Sequence, residues 1–131
     1  MKKLLSLLLI VVSALCLFTA CKKQPIVINE RSTFVVINCQ TDNENLSLAS
    51  YMDGLDDIFV IENGMVVSIN GIENPADWSY CWMLYTDDAE FSNTAWGTLE
   101  YEGKIYGSAT VGAESLIIKN GCTYIWVYQE F

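Results

Sequence analysis

The chain opens on a near-continuous apolar run, Leu4 to Phe18, broken only by Ser6 and Ser13 and preceded by Lys2 and Lys3. Beyond it the apolar positions come in short bursts between polar turns, the pattern of a domain built from short strands. Thr33 to Cys39 is β-branched and apolar and predicts a strand. Gln40 to Asn45 reads as a polar loop, and Leu46 to Met52 as a short helix with apolar positions at 48, 49, 51 and 52 and Gly54 beyond its end. Ile58 to Ile61, Asn63-Gly64 and Met65 to Ile69 form a hairpin signal, and Asn70-Gly71 makes the next turn. Trp78 to Tyr85 predicts a further strand. Thr98 to Tyr101, Glu102-Gly103 and Lys104 to Tyr106 predict another hairpin, and Ser115 to Ile118, Asn120-Gly121 and Cys122 to Tyr128 a closing one. Many short strands with one short helix predict an α+β domain, mostly antiparallel.

The leading run has a different meaning. Its 15 residues fall short of the roughly 20 needed to cross a bilayer as a helix. It ends in Phe18-Thr19-Ala20-Cys21, small residues before a cysteine, as in a bacterial lipobox. Residues 1–20 are therefore expected to be a lipoprotein signal peptide, with Cys21 the lipidated first residue after cleavage. The alternative is a plain N-terminal transmembrane helix. Residues 21–32, with Pro25, are read as a lipidated tether and residues 33–131 as one domain. Two acyl chains on Cys21 would anchor the protein stably. The expected location is extracytoplasmic, membrane-anchored at the cell surface or in the periplasm.

Three stretches together carry a family resemblance. They are Gly64 to Gly71, then Cys81-Trp82-Met83-Leu84-Tyr85, then Gly112 to Leu116 with Lys119 to Tyr128. The alternation of Tyr124, Trp126 and Tyr128 after an Asn-Gly turn is its most specific part. Residues 33–131 resemble the transcobalamin C-terminal-like domain of bacterial surface lipoproteins. The resemblance implies a β-grasp-like fold and a ligand-binding role, with cobalamin a possible ligand and no cofactor. Thr86-Asp87-Asp88 stands where that family usually has Asn-Gly, and Cys122 where many members carry Asp.

Composition narrows the chemistry. The 131 residues carry 7 Lys+Arg, 16 Asp+Glu and no His, for a net charge of −9. Removing Lys2 and Lys3 with the signal leaves 5 basic against 16 acidic residues, net −11. Such acidity excludes phosphate-backbone binding, so no nucleic-acid partner is expected. Without His there is no imidazole for a catalytic triad, a zinc site or cobalt ligation. G-x-S-x-G, P-loop and C-x-x-C motifs are absent, and Gly107 to Gly112 lacks a dinucleotide-binding spacing. The acidic pairs Asp56-Asp57 and Asp87-Asp88, the latter with Glu90, offer carboxylates for a glycosidase or for Ca²⁺. Neither sits in a recognised loop, and solvated loop charge is the simpler reading. No enzyme activity and no metal site are expected.

Aromatic residues are the clearest candidate chemistry. Trp78, Tyr80 and Trp82 fall on one face of a strand, and Tyr124, Trp126 and Tyr128 on one face of another. With Tyr85 and Trp96 they form a candidate aromatic binding face for a planar ligand. The competing reading makes the same rings core. Of the cysteines left after cleavage, Cys39, Cys81 and Cys122, the expected bridge is Cys81–Cys122, which requires both side chains on one sheet face. Three free thiols is the alternative. The leading expectation is a non-enzymatic, surface-anchored binding module for a small planar molecule. The alternative is a structural or interaction module of the envelope, with an envelope protein as partner and a transporter or adhesin as its setting.

Overall fold

The computed structural model describes residues 24–131, so the segment expected to be a signal peptide, residues 1–20, and the expected lipidation site Cys21 lie outside the described residues. The elements run β1 (Ile26–Ile28), β2 (Phe34–Asn38), α1 (Leu48–Asp53), β3 (Phe59–Glu62), β4 (Met65–Ile69) and β5 (Ile72–Glu73). They continue with β6 (Tyr80–Thr86), β7 (Ser92–Tyr101), β8 (Lys104–Ala109) and β9 (Thr123–Glu130). A six-stranded sheet has the order β1-β2-β9-β6-β8-β7, and β3-β4-β5 form a three-stranded one. Every pairing among the described residues is antiparallel. The protein is thus an α+β domain dominated by sheet, with a single short helix among the described residues. No described helix is long and apolar enough to cross a membrane.

The tight turns follow from residue type. Asn63-Gly64, Asn70-Gly71 and Glu102-Gly103 have φ of 51° and 78°, 49° and 80°, and 48° and 74°. Two successive positive φ values define the I′ turn, whose twist matches the flanking strands. Helix α1 starts where the Ser47 side chain accepts the Ser50 N–H at 3.1 Å. Its Leu48 and Met52 are fully buried, each adding on the order of 1.5–3 kcal/mol of hydrophobic stabilisation.

The large sheet has two packed faces. One carries Val35, Ile37, Trp82, Leu84, Tyr124 and Trp126 and is covered by α1 with Val66 and Ile69 of β4. The other carries Val36, Tyr85, Tyr106 and Ile125. Phe34 of β2 and Tyr101 of β7 have ring centroids 5.4 Å apart although β9, β6 and β8 lie between their strands. The sheet therefore curls until its flanks meet, closing a second small core without another layer.

Three expectations need correction. Ile26–Ile28 is an edge strand paired with Val35–Ile37, not part of a polar tether; three successive β-branched residues extend the sheet once Asn29 and Ser32 (φ 57°) turn the chain. Ser115 to Ile118 is not a strand. The Ser115 and Leu116 N–H groups both turn back to the Gly112 carbonyl, and only Ile117 makes a bridge, to Ser47. The segment's backbone is taken up holding the start of α1, with Leu48 N–H on Leu116 O at 2.7 Å and Ile118 N–H on Leu46 O at 3.0 Å. Trp78 lies before β6 with φ 58°, so it leaves the alternation of Tyr80 and Trp82.

Candidate functional site

A cleft of about 650 Å³ opens where β6 and β8 part. These strands pair only through Tyr85↔Ser108 and Thr86↔Gly107. After Ala109 the chain leaves the sheet, held by the Thr110 N–H on Phe91 O at 2.9 Å. The first half of β6 keeps β9 on one side and loses its other neighbour. The space is partly closed by the small sheet. Asn74 ties the two sheets, accepting the Trp82 N–H at 3.1 Å and donating to Val66 O at 3.0 Å. At the back, a Cβ on Gly112 would lie 3.3 Å from Gly64 O, so the 109–113 segment and the β3–β4 turn touch backbone to backbone.

The lining is apolar and uncharged. Trp78, Trp82 and Trp126 contribute rings, and Met65, Met83, Cys81, Leu84 and Val111 supply most of the remaining wall. No Asp, Glu, Lys or Arg is among the lining residues. Asn74 is already engaged, leaving Ser108 and Thr110 as the main side-chain polar handles. Trp78 is 48% exposed and Met65 51%, so both stand at the rim. Phe131 stands beside them, its N–H on Ser79 O at 3.0 Å. Burial raises the Cys81 thiol above its ordinary value, so it stays protonated at neutral pH and acts as apolar wall.

The expected aromatic face is divided. Tyr80, Trp82 and Tyr128 do share a face, with Tyr80–Tyr128 centroids 5.5 Å apart and Trp82–Tyr128 5.3 Å apart. Trp82 and Trp126 are 5% and 4% exposed and serve both the core and the cleft wall. Their indole N–H groups are satisfied internally, by Ile72 O at 2.8 Å and Met52 Sδ at 3.4 Å. Tyr124 is fully buried. Tyr85 points to the opposite face and donates to Gln129 Oε1 at 3.1 Å. Trp96 is 67% exposed within a four-residue excursion of β7, between Asn93↔Ser108 and Thr98↔Gly107, and does not line the cleft. Met65, Met83, Val111 and Asn74 were not expected at a site. The Asn63-Gly64 turn did place Met65 at a strand start, but nothing local marks where two strands separate.

The cysteine expectation is overturned. Cys81 is opposite Gln129 on β9, seven residues from Cys122, or roughly 23 Å at about 3.3 Å per residue. A bridge needs Cα atoms within about 7 Å. The faces also differ: Cys81 contacts Met83 Sδ at 3.4 Å, while Cys122 packs against the α1 side. Cys39, Cys81 and Cys122 are all free thiols.

The acidic cluster after β6 is a clasp rather than solvated charge. Asp87 accepts Lys104 Nζ at 2.6 Å and the Thr123 N–H at 2.7 Å. Asp88 is 1% exposed and accepts Lys119 Nζ at 3.2 Å, the Tyr124 hydroxyl at 3.3 Å and the Glu90 N–H at 3.1 Å. Lys119 also meets Glu90 at 2.9 Å. These carboxylates hold Lys104 and Lys119 above the usual lysine value. With its oxygens engaged, the cluster closes the start of β9 onto the end of β6. Asp56 and Asp57 sit exposed in a loop. Among the described residues no group of three Asp, Glu, His or Cys could hold a metal ion, and no buried side-chain polar atom lacks a partner.

The described chain is thus a sheet-dominated α+β domain with one apolar, tryptophan-walled cleft. Comparison with protein-family models, curated proteins and solved structures finds no match.

Proposed function

We propose that the protein is a membrane-anchored, extracytoplasmic lipoprotein whose domain binds a small, flat, largely apolar molecule in the cleft beside β6, without catalysis. The observation that carries this reading is the cleft itself: about 650 Å³, three indoles and no charged side chain. Small-molecule sites typically span about 300–1,000 Å³ and are mostly apolar with a few polar groups. Binding would rest on stacking and apolar burial. A cobalamin, with its nucleotide arm, is larger than this space and would leave much of itself outside, so a smaller planar ligand suits the cleft better. The lipoprotein part rests on Lys2-Lys3, the apolar run and Phe18-Thr19-Ala20-Cys21.

The β-grasp-like assignment belongs to the same reading. Its support is layering, with one helix across one face of a sheet; the described pairings are all antiparallel, so the likeness does not extend to a parallel pair. The alternative, an envelope interaction module, is favoured by Trp96, which projects 67% exposed away from the cleft.

The test is Trp78→Ala with native mass spectrometry against cobalamin and a bacterial metabolite extract. A small-molecule adduct lost on substitution supports the reading. Absence of any adduct on the folded protein, with a protein partner captured through Trp96, supports the alternative.

A further inference from the structure

The turn into β9 sets two cysteines face to face. Gly121 has φ 84°, and Cys122 N–H closes the turn on Lys119 O at 3.2 Å. Gly121 N–H donates to Cys39 O at 2.9 Å, and Cys39 N–H donates to Cys122 O at 3.0 Å. A left-handed glycine bonded to the opposite carbonyl, followed by a residue that accepts the opposite N–H, is a G1 bulge. It places Cys122 opposite Cys39, one step beyond Asn38↔Thr123. Residues opposed in a hydrogen-bonded pair have Cα atoms about 5.5 Å apart, inside the roughly 4.4–6.8 Å span of a disulfide. Both side chains pack into the core beneath α1, so they leave the sheet on the same face.

We propose that Cys39 and Cys122 are a redox pair that closes into a disulfide, stapling β2 to β9, when the domain meets a disulfide-bearing oxidant. Cys122 is the partly exposed member and reacts first. Its thiolate attacks the external disulfide, forming a mixed disulfide and releasing one thiolate of the oxidant. The Cys39 thiolate then attacks Cys122 Sγ, forming the internal bond and releasing the second thiolate. The pair loses two electrons and two protons, and the oxidant becomes two thiols. The second step is intramolecular, so the burial of Cys39 does not obstruct it. Cys81 takes no part, being on the other face.

The reaction is slow at neutral pH. Burial, then Cys122 and Glu44, push Cys39 up to about 11, while Tyr51 opposes. Burial also raises Cys122, with Asp87 and Asp88 adding and Lys119 and Lys104 opposing. Little thiolate is present, and the rate rises with pH. This inference does not depend on the cleft or its ligand.

The test uses the full chain in detergent micelles, reduced and then incubated with oxidised glutathione at about pH 7 and 9. Remaining thiols are alkylated and the peptides mapped. The expected product links Cys39 to Cys122 with Cys81 alkylated, forms faster at the higher pH, and persists in Cys81→Ser. The thermal midpoint should rise by about 5 °C or more. A folded protein in which Cys122 carries only glutathione and Cys39 stays alkylatable would overturn the proposal. So would a link joining Cys81 to either partner.

Discussion

At the residue scale, exposure separates Trp82 and Trp126, which hold the fold, from Trp78 and Trp96, of which only Trp78 lines the cleft. Trp82 and Trp126 are buried and hydrogen-bonded, and truncating either leaves a large cavity. Trp82→Ala and Trp126→Ala should each cost about 3–5 kcal/mol in denaturant unfolding. Trp78→Ala should change stability by less than about 1 kcal/mol, because its ring already faces solvent. Trp78 is therefore the position where loss of binding can be read apart from loss of fold. Titration gives a second residue-scale prediction. Burial moves Cys39 from 9.0 up to about 11. The folded value lies above the unfolded one, so its contribution is complete below pH 9 and is lost as pH rises towards about 11. Unfolding curves of the reduced protein across that window should show falling stability, and Cys39→Ser should show less of the fall.

At the element scale, stability depends on how β9 is fastened at its start. Asp88 gathers Lys119, the Tyr124 hydroxyl and the Glu90 N–H. Asp88→Ala leaves the buried tyrosine hydroxyl without this acceptor and should destabilise by about 1–3 kcal/mol in chemical denaturation; an unchanged midpoint would show the clasp to be dispensable. Some of these elements were legible in the sequence. Asn63-Gly64, Asn70-Gly71 and Glu102-Gly103 carry their turn geometry in two residues, and Gly54 ends the helix as expected, whereas its start falls at Leu48 behind the Ser47 cap rather than at Leu46. Ser115 to Ile118 misled because its apolar residues serve the core from a loop whose backbone bonds to the helix start. The first half of β7 and its excursion were not legible, since Ser92 to Gly97 carries neither an apolar alternation nor a turn pair and the sequence predicts the strand only from Thr98. The Cys81–Cys122 expectation failed for want of register, which only the β6–β9 pairing supplies.

At the scale of the whole molecule, the cleft results from topology rather than from any motif. Strand β8 leaves β6 after two paired positions, and a hairpin from the smaller sheet stands across the gap. The aromatic residues were legible as candidates, but their division between core, cleft and excursion depends on which sheet face is covered. Charge has a simpler distribution. Residues 21–131 carry net −11, yet no charged side chain lines the cleft. A neutral apolar ligand should therefore bind with an affinity that changes less than about threefold between low and physiological salt, measurable by tryptophan fluorescence. The account rests on occupancy of that cleft. Native mass spectrometry of the full chain in detergent, with a bacterial metabolite extract and with Trp78→Ala in parallel, is the measurement to make. The prediction is one stoichiometric small-molecule adduct on the parent protein, reduced about tenfold or more by the substitution, as expected for losing roughly 1.4 kcal/mol of stacking. No adduct on folded protein, or an adduct that Trp78→Ala retains in full, would contradict it.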